Sequence, residues 1–396
     1  MQPLTGYNAC NLFTISEAVT VTGTVAVTNG SANVVGTGSN FTAWIVGDKI
    51  LLPDTNWYTI LTITDATHLA ISVNYPGSNA TGQTYNMQRI NYPVKLTIYK
   101  STGTNAANKL YAADQSLLWP TQAPWDFRFT ESDGTSLLYH YRSYYDTTSG
   151  IWWITVDSLI AGTAFTGYVH VGNASATDGS DIANTFAAGD NFERGNDGDT
   201  VGGSWTETGA HCHISTTHFT EGSRGLKLVN NGSACTFPKT AVTIADYAIN
   251  AMLYKETAAI YISPMNHGNG TKLCGMCVGR ANANNIYYYT TSWQDSGVAV
   301  TPAAWNEIEI RNINFTAGTF DIWLNGAVAK SGAGMQTAAG YVNIIGTDLS
   351  TAAGVCWWDS FIIRKFRANE PTWSATWGGW EYYHPRVDSY SQILAQ

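Results

Sequence analysis

Charged residues are scarce in this chain. Only 12% of its 396 residues are Asp, Glu, Lys or Arg, whereas typical globular domains are about 25% charged. The 20 basic residues are outnumbered by 29 acidic ones, which leaves a net charge of −9. Because nucleic-acid binding depends on clustered Lys and Arg that neutralise phosphates, and no such cluster is present, we expect no nucleic-acid partner.

Long apolar runs are also missing. No run approaches the length of about 18 residues that a membrane span requires, so we expect no membrane insertion. The N-terminus, MQPLTGYNACNLFTISEAV, lacks the basic start and apolar core of a secretory signal. If Met1 is the true start, a virion protein fits, because it is assembled inside the host and meets the outside only after lysis. The alternative is an extracellular protein whose signal has been removed.

Cysteine is rare, with six in the chain. Cys274 and Cys277 have the spacing of a zinc knuckle or a redox pair, and His211, Cys212 and His213 could add ligands. In a continuous strand, residues i and i+3 point to opposite faces, so a metal site here needs a turn. We therefore expect buried thiols, with a disulfide inside a sandwich as the alternative. Free thiols in a protein without an export signal are typical of a protein that folds in the reducing cytoplasm.

The residues that are abundant favour β-structure. Aromatic residues make up 13% of the chain, there are 38 glycines, and Thr, Val and Ile are frequent, as half-buried antiparallel strands require. Asn29-Gly30 and Asn325-Gly326 each separate two alternating runs, which is a strong hairpin signal. The fold class is therefore all-β, with two or three domains at this length.

The chain divides into four parts on these patterns. We assign 1–88 to a small N-terminal β-barrel or sandwich module, 89–187 to a central β-sandwich module, 188–367 to a C-terminal jelly roll and 368–396 to a docking tail. The tail holds three tryptophans and three tyrosines, which is too aromatic for a free segment. We expect it to pack on this chain or on a neighbouring one.

The central module carries an ordered set of aromatic, aspartate and glycine residues. In order these are Trp125-Asp126-Phe127-Arg128-Phe129, Asp133-Gly134, Leu137-Leu138, Trp153, Ala161-Gly162 and Gly172-Asn173. The set resembles the domain-of-unknown-function family 2341. That family carries a tryptophan shortly after its double leucine, where this chain has 139–141, Tyr-His-Tyr. The resemblance implies a small β module found beside carbohydrate-binding-type sandwiches on extracellular and viral proteins, and no enzymatic activity.

The two flanking modules also carry short sequence motifs in a characteristic order. The N-terminal ones are Gly23-Thr24-Val25, Thr28-Asn29-Gly30-Ser31, Gly36-Thr37-Gly38, Asn40-Phe41-Thr42, Gly47-Asp48 and Trp57-Tyr58. They resemble a small β module recurrent in phage tail and appendage proteins. The C-terminal ones are Asp190-Asn191-Phe192-Glu193, Trp205, Gly222-Ser223, Leu228, Trp305-Asn306-Glu307-Ile308, the segment 320–326 and Trp358-Asp359-Ser360-Phe361. They resemble a concanavalin A-like, laminin-G-type jelly roll.

The jelly-roll resemblance implies a structural calcium ion. Such domains often hold Ca²⁺ between their first and last strands, where this chain has Asp190, Glu193, Asp197 and Asp359. Calcium takes six to eight oxygen ligands, which carboxylates and loop carbonyls provide. The Asn-Asp-Gly-Asp segment at 196–199 is equally an ordinary turn. We expect no other cofactor.

Glu307 and Glu309 lie two apart in a predicted strand and therefore face the same way. Retaining glycoside hydrolysis needs two carboxyl groups about 5 Å apart. Concanavalin-like hydrolases carry a third acidic residue further along the strand, whereas here the next residue on that face is Arg311. We therefore interpret the pair as part of a solvated strand face and expect no catalytic residues.

Carbohydrate binding would use exposed rings that stack on sugars, helped by polar side chains. The segment NNIYYYTTSWQDSG offers Tyr287, Tyr289, Trp293 and Gln294 as ligand-binding candidates. Alternate rings in a strand split between its two faces, so Tyr288 points the other way from Tyr287 and Tyr289. A core position remains the alternative for each ring.

These patterns together predict a non-enzymatic virion structural or adhesion protein. It would be a phage appendage, fibre or capsid decoration, exposed on the particle surface, whose jelly roll binds surface glycans. Its partners would be capsid or tail proteins, with copies of itself in a homo-oligomer for which a trimer is preferred. The alternatives are a secreted or cell-surface carbohydrate-binding protein and a concanavalin-like glycoside hydrolase using Glu307 and Glu309.

Overall fold

The computed structural model describes residues 4–111, 126–173, 175–208, 212–229, 233–238, 247–256, 262–263, 275–279, 284–314, 316–335, 344–349, 355–378 and 381–382. Most of its strands are short, and four of the described ones, β8, β12, β24 and β28, have ten or more residues. Trp125, His211 and Cys274 lie outside the described residues. The all-β prediction is confirmed.

The N-terminal part holds seven strands: β1 (Ala9–Ser16), β2 (Thr24–Val27), β3 (Asn33–Thr37), β4 (Lys49–Leu51), β5 (Trp57–Ile63), β6 (His68–Ile71) and β7 (Ala80–Gln83), with a 3₁₀ turn at Phe41–Ala43. The central part holds six: β8 (Asn86–Tyr99), β9 (Lys109–Tyr111), β10 (Arg128–Glu131), β11 (His140–Tyr145), β12 (Ser149–Ile160) and β13 (Phe165–Val171), followed by the short helix α1 (Ile182–Thr185).

The C-terminal part begins with β14 (Ala188–Asp190), β15 (Thr206–Thr208), β16 (Cys212–Ser215), β17 (Gly225–Val229), β18 (Ser233–Pro238), β19 (Tyr247–Lys255), β20 (Ile262–Ser263), β21 (Met276–Val278), β22 (Asn285–Tyr289) and β23 (Trp293–Ala299). It continues with β24 (Trp305–Asn314), β25 (Thr319–Leu324), β26 (Ala327–Gly334), β27 (Ile344–Leu349) and β28 (Val355–Lys365), and the tail adds β29 (Thr372–Trp373) and β30 (Glu381–Tyr382).

The strands that the structure describes form five sheets. Their orders are β10-β13-β1-β29 with β30 beside β1, β11-β12-β8-β4-β5-β6-β3-β2-β7 with β9 beside β8, β16-β17-β28-β19-β24-β25-β26 with β14 beside β28, β15-β18-β27-β20, and β21-β22-β23. Within the described strands every pairing is antiparallel except β8 with β9, and no sheet closes into a barrel. None of the described helices is long and apolar enough to cross a membrane.

Two hairpins form where the sequence predicts them. Strands β2 and β3 pair across Asn29-Gly30, and β25 and β26 pair across Asn325-Gly326. Asn325 and Gly326 have φ values of 50° and 78°. Positive φ at both central residues is what a two-residue turn of this hand requires, and asparagine and glycine adopt it at low cost.

Each of the three modules has its own apolar core, and a small fourth cluster lies between two of them. Its members are Tyr141 and Trp153 from the central module, Phe186 after α1, and Ile362 on β28. Strand β8 crosses the predicted boundary at 88/89, because it pairs with β4 at one end and with β12 along its length. The modules are therefore joined by continuous sheet and by buried side chains.

The described part of the tail packs on the central module. Thr372 and Trp373 pair with β1, and Trp373 is fully buried in the central core. Upstream of them, the Asn369 carbonyl accepts a hydrogen bond from Arg89 at 3.2 Å. Arg89 in turn forms a fully buried ion pair with Glu17. The tail thus connects the end of the C-terminal sandwich back to the first strands of the chain.

Candidate functional site

A cleft of about 580 Å³ lies between the central module and the C-terminal sandwich. Strands β8, β9, β11 and β12 supply one wall, and β24, β25 and β28 supply the other. The residues that line it include five aromatic ones, Tyr99, Tyr144, Trp153, Trp305 and Trp323, and seven charged ones, Lys95, Lys109, Glu307, Glu309, Arg311, Arg364 and Glu370. It is therefore a polar-aromatic cleft.

The alternation of β24 places its charged residues in this cleft. Ile308 and Ile310 enter the core of the C-terminal sandwich. Glu307 and Glu309, which alternate with them, therefore leave on the opposite face. The expectation that this face is solvated is wrong, because Glu307 and Glu309 are only 7% and 6% exposed. The central module covers the face that the strand pattern alone predicts to be wet.

The buried carboxylates are held by cations from three strands. Glu309 is paired with Arg364, and Arg311 lies 3.7 Å from it. Glu307 is paired with Lys95 of the central module. Glu370 from the tail pairs with Arg364 and, at 3.2 Å, with Arg311. The network therefore connects the central module, the C-terminal sandwich and the tail.

The protonation state of Glu309 follows from these partners. Burial alone would raise its pKa, but Arg364, Arg311 and Lys95 together hold the pKa of that carboxyl below its ordinary value. A general acid in glycoside hydrolysis needs a raised pKa so that it carries a proton at neutral pH. Glu309 is instead an ionised partner in a buried ion-pair network.

Aromatic rings lie beside the network. The Arg311 guanidinium lies 3.2 Å from the centroid of the Trp323 ring, and Lys95 and Arg364 lie 5.6 Å and 4.8 Å from that of Trp153. Trp305 and Trp323 are half-buried. Half-buried indole rings beside polar side chains can stack on an apolar sugar face while hydrogen bonds orient the hydroxyl groups.

A second polar cluster crosses the same module interface. The Tyr141 hydroxyl lies 3.0 Å from Ser360 Oγ, which donates to the Ser143 carbonyl at 2.8 Å. Arg142 Nη2 donates to Glu221 Oε2 at 3.2 Å. Asp359 lies next to Ser360 and is fully buried. Burial raises the pKa of Glu221 to about 7 despite Arg142, and burial with the neighbouring Glu221 raises the pKa of Asp359 well above its ordinary value.

This cluster predicts a pH-dependent stability. Glu221 has an ordinary pKa of 4.5, so between about pH 4.5 and 7 the folded chain holds a proton that the unfolded chain has lost. Stability contributed by Glu221 therefore falls as the pH rises through this window, by roughly 3 kcal/mol in total. Buried His140 and His170 act oppositely, because burial lowers both pKa values to about 4.

The test compares the free energy of unfolding of wild type with that of Glu221→Gln, measured by urea unfolding at pH 4.5 and at pH 7.5. We expect the variant to gain stability relative to wild type at the higher pH. Glu193→Gln, at a more exposed carboxylate, is the matched control. A wild-type-to-variant difference that is the same at both pH values would contradict the proton on Glu221.

The predicted calcium ligands are held separately by protein donors. Asp190 accepts hydrogen bonds from Arg194 and from the Trp205 indole, each at 2.7 Å. Glu193 accepts hydrogen bonds from Ser223 and Arg224. Asp197 accepts one from Thr216, and Asp359 accepts one from Thr220. Across the described part of the chain, no three His, Cys, Asp or Glu side chains are arranged to hold a metal. The described residues do not fit a shared ion, and calcium stays a prediction.

The predicted glycan platform lies on the small sheet β21-β22-β23. Tyr288 is half-buried and packs against the core of the sandwich. Tyr287 is only 4% exposed, whereas Tyr289 and Trp293 are half-buried with ring centroids 5.0 Å apart. Gln294 is exposed. The surface at this position is therefore Tyr289, Trp293 and Gln294, and glycan binding there stays a prediction.

Among the described cysteines, both alternatives from the sequence occur: buried thiols and a disulfide. Cys10, Cys277 and Cys356 are buried and form no disulfide, which agrees with the expected buried thiols. Cys212 is disulfide-bonded. The side chain of its partner lies outside the described residues. The zinc-knuckle alternative at Cys274 and Cys277 lies partly outside them as well.

The comparisons with known proteins agree with one of the resemblances. The family described as Domain of unknown function (DUF2341) matches residues 124–208, which confirms the resemblance of the central module. No curated protein matches the chain. The phage-appendage and concanavalin A-like resemblances are not among these matches.

Three solved structures with partial similarity come from proteins of carbohydrate metabolism. Domain 4 of an extracellular arabinanase from Geobacillus stearothermophilus, in complex with arabinotriose, is 13% identical, with 41% of this chain and 82% of that chain covered and a TM-score of 0.31. A carbohydrate esterase from the Shiga toxin-encoding bacteriophage phi24B is 12% identical, with 40% and 89% covered and a TM-score of 0.32. An endo-beta-1,4-glucuronan lyase from the fungus Trichoderma reesei is 11% identical, with 43% and 90% covered and a TM-score of 0.29. Likenesses of this size assign no function to this chain.

Proposed function

We propose that this protein is a non-enzymatic glycan-binding β-sandwich protein whose ligand lies in the cleft between the central module and the C-terminal sandwich. The observation that carries the proposal is the pair of half-buried rings, Trp305 and Trp323, beside Asn325. Rings with few polar partners in a preformed cleft are the usual means of holding a sugar chain.

The absence of a catalytic step is part of the proposal. Its support is that Glu307 and Glu309 are both occupied in ion pairs, and that the pKa of Glu309 is lowered rather than raised. A hydrolase would need one of the two carboxyls protonated at neutral pH. The cleft binds a sugar chain without breaking it.

We also place this protein on the surface of a virion, as an appendage, fibre or decoration. The support is the phage-appendage resemblance of the N-terminal module and the concanavalin A-like resemblance of the C-terminal one. The disulfide at Cys212 fits a protein exposed to an oxidising environment, which a secreted protein would also meet. Co-purification at fixed stoichiometry with capsid or tail proteins tests the placement, and recovery only as a free protein in the medium would contradict it.

Glycan binding is tested by calorimetric titration of the full chain with a panel of oligosaccharides. We expect Trp305→Ala and Trp323→Ala each to weaken binding by about 30-fold, because each removes a stacking surface at the centre of the site worth about 2 kcal/mol. Thermal melts of both variants check that the fold is retained.

Tyr289→Ala is the control that separates the two candidate sites. It removes a half-buried ring from the small sheet and leaves the cleft intact, so binding should be unchanged. Loss of binding in Tyr289→Ala with retention in both tryptophan variants would move the glycan to the small sheet. Wild-type protein that binds no oligosaccharide would refute the proposal.

A further inference from the structure

We infer that the glycan held in this cleft is anionic, carrying carboxylate or sulfate groups, and this inference rests on the proposed function. Four of the chain's 20 Lys and Arg residues line the cleft, against three of its 29 acidic residues. The cleft thus has one positive charge in excess, in a protein whose net charge is −9. Such a local excess attracts an anionic ligand into a surface that otherwise repels it.

The depth of the charges strengthens this. When side chains alone are considered, Lys95 is 24% exposed and its partner Glu307 is 9% exposed. Arg311 is 14% exposed, against 8% for Glu309. The one more exposed carboxylate, Glu370, is paired with Arg311. An entering ligand therefore reaches Lys95 and Arg311 before Glu307 and Glu309, and all three carboxylates, Glu370 included, are already paired with a cation.

Lys109 is the cation in excess. Its side chain is exposed and forms no ion pair with any residue that the structure describes. It lies on β9, where it pairs with Thr97 in the wall of the cleft. Two residues further along that strand, Tyr111 stacks on Tyr99 with ring centroids 4.8 Å apart. Lys109 is therefore held at the cleft wall with its charge available to a ligand.

Two hydrogen-bond donors of the cleft also lack acceptors. Arg311 Nε and Trp323 Nε1 are buried and have no hydrogen-bond partner among the described residues. Both side chains line the cleft. Buried donors are rarely left without an acceptor. Both atoms are enclosed by protein, so a carboxylate or sulfate oxygen bonds to them after the Arg311 or Trp323 side chain shifts, and its bond to a guanidinium is charge-assisted and strong.

The test is titration of the full chain with three tetrasaccharides of equal length: one of uronic acids, one of sulfated sugars and one of neutral hexoses. We expect at least one anionic tetrasaccharide to bind about tenfold more tightly than the neutral one, because one charge-assisted contact contributes about that factor. Binding should weaken between 50 and 500 mM salt, since salt screens charges at the cleft rim.

Lys109→Gln should weaken the binding of the anionic tetrasaccharide about tenfold and leave the binding of the neutral tetrasaccharide unchanged. Lys49→Gln is the matched control, because Lys49 lies on β4 outside the cleft, and it should have no effect. The comparison of the uronate with the sulfated tetrasaccharide identifies which anionic group is recognised.

The outcomes separate this inference from the proposed function. Equal binding of neutral and anionic tetrasaccharides, with no effect of Lys109→Gln, would overturn the anionic preference while glycan binding in the cleft stands. If none of the three tetrasaccharides binds, and no oligosaccharide of the wider panel binds either, the proposed function itself is overturned.

Discussion

Replacing Arg364 with alanine is expected to lower the free energy of unfolding by about 3–5 kcal/mol, because buried Glu309 loses its nearest cation and keeps only Arg311, 3.7 Å away. Arg364 is 1% exposed and is bonded to Glu309 and Glu370. It also donates to Asn250 at 3.2 Å and lies over the Trp153 ring. The substitution therefore removes an ion pair, a hydrogen bond and the contact between two modules together.

Urea unfolding followed by tryptophan fluorescence measures this loss. Arg224→Ala is the matched control, because Arg224 is 31% exposed and lies 3.9 Å from Glu193, and exposed pairs of this kind contribute about 0–1 kcal/mol. The double variant Arg364→Met, Glu309→Leu should recover part of the loss, since it removes the unpaired charge as well. A loss below about 1 kcal/mol for Arg364→Ala would show that the buried network does not hold the modules together.

Replacing Trp373 with alanine is expected to cost about 3–5 kcal/mol of stability, the range for emptying a large aromatic site in a core. Trp373 is fully buried, and its ring lies 4.4 Å from Phe13 and stacks on Trp377 at 5.6 Å. Its backbone N–H donates to Asn108 Oδ1 at 2.9 Å. The side chain thus completes the core of a module whose other strands lie more than 200 residues earlier in the chain.

The same unfolding measurement applies to this variant. Tyr139→Ala is the control, because Tyr139 is 52% exposed and surface substitutions usually change stability by about 0.5 kcal/mol or less. A stability for Trp373→Ala equal to that of wild type would mean that the tail does not dock on its own chain. The alternative, packing on a neighbouring copy, would then show as a concentration-dependent melting temperature.

Part of the candidate site follows from local pattern. The spacing of Glu307, Glu309 and Arg311 predicts that they share one face of a strand, and they do line one cleft. Trp323 lies opposite Glu309 on the neighbouring strand β25, and the predicted Asn325-Gly326 turn ends that strand. What the pattern does not indicate is that this face is covered. Lys95 and Glu307 are 212 positions apart, and no periodicity in either segment reports that contact.

The sequence by itself determined the all-β class, the two hairpin turns and the alternation of β24, because these depend on φ preferences and on which side chains lie two residues apart. It also predicted that the aromatic tail packs on protein, and the described rings Trp373 and Trp377 do so. Only the tertiary structure decided which surfaces meet. It closed the central module over the acidic face of β24, paired every carboxylate there with a cation, and left Lys109 in excess at the wall of the cleft. Those outcomes depend on contacts between distant segments, whose free energy comes from packing and ion pairing that neighbouring residues in sequence do not encode.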